Sequence, residues 1–272
     1  MTTSGLAVVQ FAPMRDVAAN LATMNRLAEL AVSRGASLVV FPEYSSWFTP
    51  DMDSAWLDAA QDLDGEFVIG VGAMSVRLGI HVVAGFIERT DDPARISNTL
   101  VALDPQGAIV ATYSKLHLYD AFGGRESDWV KAGAIEDPQT FAWGDFTVGL
   151  QTCYDLRFPE VTRRIVDAGA DLVLVPSEWV RGPLKEHHWR TLITARAIEN
   201  TVYVAAADHA PPIGAGNSMV VDPMGVEIAT IGEIEDVAVA WPLIERVAAV
   251  RVVNPSLAHR RFGIVPGRVP RT

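Results

Sequence analysis

Three reactive side chains each follow an apolar, strand-like run at the point where the run ends. Glu43 follows LVVFP, Lys115 follows IVATYS, and Cys153 follows FTVGLQT. Open α/β sheets place ligands and chemistry just past the carboxyl ends of their strands. We therefore expect these three side chains to meet at one edge of the folded sheets.

These three residue types would be sufficient for acyl transfer. A thiol with a pKa near ~8.5 is a modest nucleophile until a base or a cation assists it. Glu43 could accept the proton of Cys153, and Lys115 could lower the thiol pKa and stabilise the oxyanion of a tetrahedral intermediate. Burial of an isolated carboxylate is costly, so Glu43 must be solvated, paired or functional.

Cys153 is the only cysteine in 272 residues. A single thiol cannot form an intramolecular disulfide, and its position leaves two interpretations open. It is either a nucleophile or a packed core thiol, since free cysteine is among the most buried residue types. One cysteine, together with an opening MTTSGLAVVQF that lacks a basic segment before an apolar one, predicts a reducing, cytoplasmic location.

The composition limits the class of protein. Hydrophobic residues make up 49% and charged residues 20%, which is typical of a globular chain with a large core. No apolar stretch approaches the ~18 residues of a membrane span, and the net charge of −11 argues against nucleic acid as a partner. Basic residues concentrate only in the C-terminal tail, which we interpret as a surface or subunit-contact segment: Arg260, Arg261, Arg268 and Arg271.

Strand-like and helix-like segments alternate along the whole chain. Short apolar, β-branched runs predict strands at 6–11, 36–41, 80–87, 98–103, 108–113, 146–151, 171–175, 201–207, 218–221 and 226–230. Helical periodicity predicts helices at 16–34, 66–78, 159–168, 186–198 and 243–253. The turns DPQG and DPMG join strand pairs at corresponding places in the two halves of the chain. Adjacent strands without an intervening helix indicate mixed sheets.

This order predicts an α/β fold of two similar halves. We expect a four-layer α-β-β-α sandwich in which two mixed sheets lie between helical layers. No linker rich in Ser, Gly or Pro separates the halves, so residues 1–272 are predicted to form a single domain. The tail at about 254–272 is the segment that could reach a subunit contact.

The anchor segments resemble the nitrilase superfamily of carbon–nitrogen hydrolases. The similar strings are FPE at 41–43, YSKLHLYD at 113–120 and GLQTCYDLRFPE at 149–160. Two downstream blocks, HWRTLITARAIENTVYVAAA at 188–207 and GNSMVVDPMGVEIAT at 216–230, extend the resemblance over nearly the whole chain. The similarity is greatest to the Nit-type amidases.

The resemblance implies a Glu–Lys–Cys catalytic set and a second, supporting glutamate. The best match for that glutamate is Glu126 in GGRESD, which would position Lys115 and the reacting amide. The alternative for Glu126 is a surface carboxylate beside Arg125 and Asp128. The resemblance also implies that the backbone N–H of Tyr154 helps to hold the oxyanion. The segment from Lys115 to Glu126 looks several residues shorter than in many relatives.

The resemblance implies hydrolysis of a small, non-peptide C–N bond, most simply a primary amide, through a thioester on Cys153. Candidate substrates are ω-amides of keto acids and deaminated glutathione, and no metal or organic cofactor is required. The alternatives are an N-carbamoyl amino acid hydrolase, a nitrilase, and a non-catalytic scaffold that keeps the fold. Members of the family form dimers, so a homodimer or higher homo-oligomer is expected.

Five residues near these segments are candidates for the substrate pocket: Tyr119, Phe122, Arg157, Trp179 and Arg181. Trp179 and Arg181 follow the strand DLVLV and either line the pocket or belong to a solvent-side loop. Arg157 could hold a substrate carboxylate, but the preferred interpretation is a structural ion pair with Asp155 or Glu160.

A cysteine–histidine hydrolase is a further alternative for the thiol, which the sequence does not support. It would need a partner histidine, and each available histidine has a simpler interpretation as a core or surface polar group: His117, His187, His188 and His209.

Overall fold

A computed structural model describes residues 4–267 as two six-stranded sheets with helices on their outer faces. The strands are β1 Gly5–Gln10, β2 Ala36–Val40, β3 His81–Arg89, β4 Ile96–Leu103, β5 Ile109–Ser114, β6 Thr140–Trp143, β7 Phe146–Leu150, β8 Leu172–Pro176, β9 Tyr203–Ala207, β10 Met219–Val221, β11 Glu227–Thr230 and β12 Asp236–Ala240. The α-helices are α1 Val17–Ser33, α2 Ala55–Asp58, α3 Glu66–Leu78, α4 Pro159–Asp167, α5 Lys185–Asn200 and α6 Ile244–Val253.

The two sheets have the same internal plan. The first has the order β12-β1-β2-β3-β4-β5 and the second β11-β10-β9-β8-β7-β6. In each sheet three consecutive strands are parallel, β1 to β3 and β7 to β9, and the remaining strands pair antiparallel. The predicted mixed sheets and similar halves are therefore confirmed, with β12 returning from the end of the chain to complete the first sheet.

Alternation along the strands builds three apolar layers. In β1, Leu6 and Val8 face the second sheet, whereas Ala7 and Val9 face the helices α1 and α3. Successive strand residues point to opposite faces, so a strand that is apolar throughout can fill both layers. Helices α4 and α5 cover the other sheet, where Trp189 of α5 is fully buried. This is the predicted four-layer α-β-β-α order.

Every predicted strand and helix is present with ends within two residues of the predicted ones. Helix α3 begins and ends where expected, because Gly79 adopts φ +66 and ends it in a left-handed cap. Strands β6 and β12 and the single-turn helix α2 were not predicted from the sequence. Strand β12 owes its place to pairing with β1, more than 200 residues away in the chain, which local patterns do not encode.

The C-terminal segment lies on the surface as far as it is described. Arg260 forms an ion pair with Asp167 of α4, and Arg268 and Arg271 lie outside the described residues. No helix within residues 4–267 combines the length and the apolar composition that a membrane crossing needs.

Candidate active site

Glu43, Lys115, Glu126 and Cys153 line one cavity of about 480 Å³ between the strand ends. Glu43 follows β2, Lys115 follows β5 and Cys153 follows β7. Lys115 Nζ donates to Glu43 Oε1 at 2.8 Å and lies 3.0 Å from the Glu126 carboxylate. The predicted convergence of strand ends therefore brings the four side chains together.

Glu43 is held at both carboxylate oxygens. Asn98 of β4 donates to Oε1 at 2.5 Å, and the backbone N–H of Glu178 donates to Oε2 at 2.6 Å. Burial raises the pKa of Glu43 above its usual value, and the nearby Glu126 adds to this, whereas Lys115 opposes it. A carboxyl group with a raised pKa is suited to move a proton in both directions near neutral pH.

His209 fixes the backbone of Glu43. Its Nε2 lies 2.7 Å from the Glu43 carbonyl oxygen, which can only accept, so the ring donates from Nε2. Burial lowers the pKa of His209 to about 4, and the ring is therefore neutral. Gly85 of β3 lies so close to Glu43 that a Cβ there would stand 2.7 Å from the glutamate Cα. Strand β3 and His209 thus fix the position of the turn that contains Glu43.

Lys115 is a buried cation between two buried carboxylates. Burial by itself would lower its pKa, but the charges of Glu126 and Glu43 outweigh this and raise the pKa well above its usual value. The ammonium is therefore charged throughout the working range of pH. Such a cation, shielded from water, is a strong electrostatic partner for an oxyanion that develops nearby.

Glu126 lies inside the site and is not a surface carboxylate. Tyr44 Oη donates to Oε1 at 2.7 Å, and the backbone N–H of Tyr119 donates to Oε2 at 2.6 Å. The neighbouring Arg125 and Asp128 instead pair with each other at the surface. The alternative assignment of Glu126 to a solvated loop is therefore wrong.

Cys153 begins a short 3-10 helix, Cys153–Arg157, directly after β7. Its φ of 42 places a non-glycine residue in the left-handed region, which is costly and commonly marks functional positions. The thiol Sγ donates to the Glu178 carbonyl oxygen at 3.3 Å. Burial, followed by the charge of Glu43, raises the thiol pKa well above its usual value, so the resting thiol is protonated.

The family model for carbon–nitrogen hydrolases matches residues 5–251. The chain belongs to this family. Deaminated glutathione amidase of Escherichia coli O157:H7 is 41% identical over 94% of this chain and 97% of that protein. The deaminated glutathione amidase of Rattus norvegicus is 33% identical over 97% of this chain and 84% of that protein.

Solved structures give the same assignment. The Caenorhabditis elegans NitFhit protein matches with a TM-score of 0.85 and 31% identity, over 96% of this chain and 66% of that chain. A mutant of the amidase from Nesterenkonia sp. AN1, in which acrylamide has added to the active-site cysteine, matches with a TM-score of 0.76 and 26% identity, over 92% and 97% of the two chains. The predicted superfamily, fold and enzyme class, a hydrolase of amide C–N bonds, are confirmed, and a non-catalytic scaffold is not favoured.

Arg157 in this carbon–nitrogen hydrolase does not form the predicted ion pair. Asp155 accepts instead from Tyr113 Oη at 2.6 Å and lies 2.8 Å from His117 Nδ1. The Arg157 guanidinium lies over the ring of Trp179, 4.8 Å from its centroid. The preferred interpretation of Arg157, an ion pair with Asp155 or Glu160, is therefore wrong, because Asp155 is occupied in anchoring the Cys153 turn and Arg157 pairs with neither carboxylate in the described part of the chain.

Lys185 is a second cation beside Arg157 that sequence reasoning missed. Its Nζ donates to Tyr119 Oη at 2.7 Å and lies 3.9 Å from the centroid of the Phe122 ring. Among the described residues, neither Lys185 nor Arg157 forms an ion pair with a carboxylate. Burial, then the charge of Arg157, lowers the pKa of Lys185. Two cations thus share one aromatic wall, which we name the cation wall: Tyr119, Phe122, Arg157, Trp179 and Lys185.

The other predicted pocket residues separate into two groups. Tyr119 and Phe122 line the cavity, as expected for the loop between Lys115 and Glu126. Trp179 is buried behind the cavity, where its backbone N–H donates to Asp208 and its indole N–H donates to the Lys185 carbonyl oxygen. Arg181 is not a pocket residue, because it pairs at the surface with Glu186 and Glu233.

Sequence reasoning missed three polar residues around Glu43 and Cys153, namely Asn98, Glu178 and Asp208, and it interpreted His209 only as a core or surface polar group. Asn98 interrupts the buried strand β4, and the other three directly follow the ends of β8 and β9. Glu43 was identified because it directly follows a strand, and the same argument applies to the polar residues that follow β8 and β9. The sequence could therefore have predicted these three residues. Lys185 gave no such signal, since a lysine at the start of a helix normally faces solvent.

Proposed function

We propose that this protein is a cysteine amidase of small, carboxylate-bearing amides, with deaminated glutathione as its first candidate substrate. The observation that carries the proposal is the buried cluster of Glu43, Lys115 and Glu126 in the same cavity as Cys153. The relatives named deaminated glutathione amidase, with up to 41% identity over nearly the full length, support the substrate.

In the first half of the reaction, Glu43 accepts the thiol proton while Sγ of Cys153 bonds to the amide carbon. The carbonyl π electrons move to oxygen, and the oxyanion is held by Lys115 Nζ and the backbone N–H of Tyr154. The tetrahedral intermediate then collapses, the C–N bond breaks, and the leaving amine takes the proton from Glu43. A thioester on Cys153 remains.

In the second half, water replaces the amine. Glu43 accepts a proton from the water as its oxygen bonds to the thioester carbon, and the same two donors hold the new oxyanion. The C–S bond breaks, the carboxylic acid leaves, and the sulfur recovers its proton from Glu43. The raised pKa of Glu43 suits both proton transfers, because the group accepts and returns a proton in each half.

Glu126 is a positioning residue in this proposal. It holds Lys115 Nζ at 3.0 Å and is itself fixed by Tyr44 and the backbone of Tyr119. The Lys115 ammonium therefore keeps its position through Glu126 when Glu43 becomes protonated and binds it less strongly. Lys115 stays where the oxyanion forms, at no reorganisation cost during the reaction.

The cation wall supports an anionic substrate. Arg157 and Lys185 lie without carboxylate partners among the described residues, beside the cavity that holds Cys153. A substrate carboxylate would satisfy both cations, and arginine suits bidentate binding of such a group. Deaminated glutathione, which is glutathione with an oxo group in place of the amino group, carries two carboxylates. An uncharged primary amide has no carboxylate that could bind to these two cations.

The test measures kcat/KM for deaminated glutathione, ω-amides of oxo acids, N-carbamoyl amino acids, nitriles and uncharged primary amides. We expect the anionic amides to be preferred. Lys185→Met and Arg157→Met should each raise KM for anionic amides by about tenfold or more, because each removes one charge-assisted contact. Arg181→Met, a change of the same type at the surface, serves as control. Turnover of nitriles alone would contradict the reaction class.

Assembly and location belong to the same proposal. We infer one domain over residues 1–272, a cytoplasmic enzyme, and a homodimer or higher homo-oligomer in which the tail at about 254–272 reaches a neighbouring subunit. Val252, Val253 and Phe262 support the contact, because 79%, 77% and 92% of these apolar residues are exposed. Light scattering of the wild type and of Val253→Glu tests it, and a monomeric wild type would contradict it.

A further inference from the structure

Glu178 is a carboxyl group at the centre of the site that the proposed mechanism does not use. It follows β8, the strand next to β7, and lines the cavity with Cys153. Its backbone serves both reacting groups, since its N–H donates to Glu43 at 2.6 Å and its carbonyl accepts from Cys153 at 3.3 Å. These backbone contacts would remain after any substitution of the side chain other than proline, which lacks the N–H.

Neither an ion pair nor a structural hydrogen bond explains why a carboxyl group stands at position 178. Its Oε1 atom is buried and has no hydrogen-bond partner within residues 4–267, while the residue as a whole is partly exposed and lines the cavity. The nearby cations have other partners, because Lys115 is bound by two carboxylates and Lys185 donates to Tyr119. Buried polar atoms are almost always bonded, so an unpaired carboxyl oxygen in a cavity points to a ligand contact.

The surroundings of Glu178 favour its neutral form. Burial raises its pKa well above the usual value, and the carboxyl groups of Glu43 and Asp208 add to this, with Lys115 opposing and Glu126 reinforcing. The thiol of Cys153, the ammonium of Lys185 and the phenol of Tyr119 also lie within its electrostatic range. A protonated carboxyl group has what the ionised form lacks, an O–H donor.

We propose that Glu178 donates a hydrogen bond from its carboxyl O–H to an oxygen of the acyl group other than the scissile carbonyl, and so selects amides of 2-oxo acids. The inference rests on the proposed function, and it adds a hydrogen-bond donor for the one substrate oxygen that the proposed mechanism leaves without one. Lys115 and the N–H of Tyr154 serve the scissile oxygen, and the cation wall serves the carboxylate. An oxo oxygen between them still requires a donor, and Glu178, which lies next to Cys153 in the cavity, is a group that can supply it.

The experiment compares two amides that differ only in that oxygen, 2-oxoglutaramate and glutaramate. Glu178→Met removes the donor with little change in size, and Glu178→Gln retains a donor in its amide N–H₂. We expect the ratio of kcat/KM for the oxo amide over the plain amide to fall by about tenfold in the Met variant and to stay within about threefold in the Gln variant. Equal losses on both amides would overturn the proposal.

The pH dependence separates donation from a structural role. In the wild type the preference for the oxo amide should decline as pH rises through the raised pKa of Glu178, because the ionised group no longer donates. The Gln variant, which does not titrate, should keep a constant preference. A decline of equal size in both proteins would assign the titration to another group and overturn the proposal.

A binding measurement keeps this inference separable from the proposed function. Calorimetry on Cys153→Ala compares 2-oxoglutarate with glutarate, with and without Glu178→Met. Preference for the oxo acid that the second substitution removes would support the role of Glu178 even if the wild type hydrolysed neither amide. Equal binding of the two acids by Cys153→Ala would overturn it even if the wild type proved to be an amidase.

Discussion

The two sheets have the same plan, yet they deliver opposite kinds of groups to the cavity and to the residues packed around it. The first sheet contributes Glu43 and Lys115, which form an ion pair at 2.8 Å. The second contributes Cys153, Glu178 and Asp208, in all of which burial raises the pKa well above its usual value. The first sheet therefore contributes ionised side chains, and we call it the charged half of the site. The second contributes acids that keep their protons, and we call it the neutral half.

The difference follows from hydrogen bonding. The carboxylates around Lys115 receive donors on both oxygens, which buried charges require. Glu178 Oε1 and Asp208 Oδ2, in contrast, are buried without a hydrogen-bond partner among the described residues, although Asp208 Oδ1 accepts the backbone N–H of Trp179. Where burial outweighs the donors that remain, a carboxyl group keeps its proton. The comparison teaches that the nucleophile lies in the neutral half and depends on the charged half for its activation.

Removal of the nucleophile gives the largest expected effect. Cys153→Ala should lower amide hydrolysis by at least about 10⁴-fold, because no thioester can form. The fold should survive, since the loss of one buried sulfur costs only about 1 kcal/mol in free energy of unfolding. Release of amine and the mass of a trapped acyl-enzyme measure the effect. Retained turnover of every amide tested would remove the thiol from the mechanism.

Removal of the cation should be almost as damaging and should also destabilise the fold. Lys115→Met leaves Glu43 and Glu126 buried without their cation, at a cost of about 3–5 kcal/mol near neutral pH. Turnover should fall by about 10³-fold. Without the opposing charge of Lys115 the pKa of Glu43 rises further, so protonation of Glu43 removes buried charge and stability recovers as pH falls. Urea unfolding at two pH values measures this.

The matched control for Lys115 is a surface lysine. Lys131 pairs with Asp91, and about half of the Lys131 side chain is exposed. Lys131→Met should change the free energy of unfolding by less than about 1 kcal/mol and should not alter its pH dependence. If the Lys115 variant lost the same stability at both pH values, the picture of a charged half held by ion pairing would be wrong.

Strand ends were predictable from the sequence because the pattern that makes a strand also tells where it stops. Glu43, Lys115 and Cys153 follow apolar runs whose carboxyl ends meet at one edge in an α/β fold. Strand β12 was missed because its pairing partner β1 is more than 200 residues away, and short edge strands carry little local signal.

The rest of the site depends on contacts that no local pattern contains. Lys185 is 6% exposed only because Tyr119 and Phe122, from a loop more than 60 residues earlier, lie against it. Arg157 was assigned to Asp155 or Glu160 on sequence proximity, but Tyr113 and the backbone of His117 bind the Asp155 carboxylate instead. Partner choice among several charged neighbours is a property of the packed structure.

Glu126 tests how the charged half holds Lys115. Glu126→Gln removes the carboxylate that contributes most to the raised pKa of Lys115, and its amide N–H₂ opposes the N–H of Tyr119. We expect kcat to fall by about 10–100-fold and the alkaline limb of the pH profile to move to lower pH, as the ammonium loses its proton more readily.

The control for Glu126 is its neighbour Asp128, which pairs with Arg125 and has half of its side chain exposed. Asp128→Asn should change kcat by less than about threefold, because surface ion pairs contribute little. An alkaline limb that stays in place in Glu126→Gln would show that Lys115 keeps its charge through Glu43 alone, and the charged half would then need only one carboxylate.

Asp208 tests the neutral half and gives the smallest effect on turnover, since it does not line the cavity. It is fully buried, with Oδ1 accepting the backbone N–H of Trp179 at 2.6 Å, and burial raises its pKa well above its usual value. The folded state therefore keeps a proton that the unfolded chain releases above about pH 4. Stability must fall as pH rises from there towards the raised pKa, by up to about 1.4 kcal/mol per pH unit.

Asp208→Asn retains the Oδ1 acceptor but is neutral in both the folded and the unfolded state. It should remove this contribution, so that the variant gains stability over the wild type at pH 7 but not at pH 4, while turnover changes by only a few fold. Urea unfolding across that range measures the two slopes. Parallel slopes would mean that Asp208 is ionised in the folded protein, and the second sheet would then carry a buried charge beside Cys153 that the thiolate must overcome.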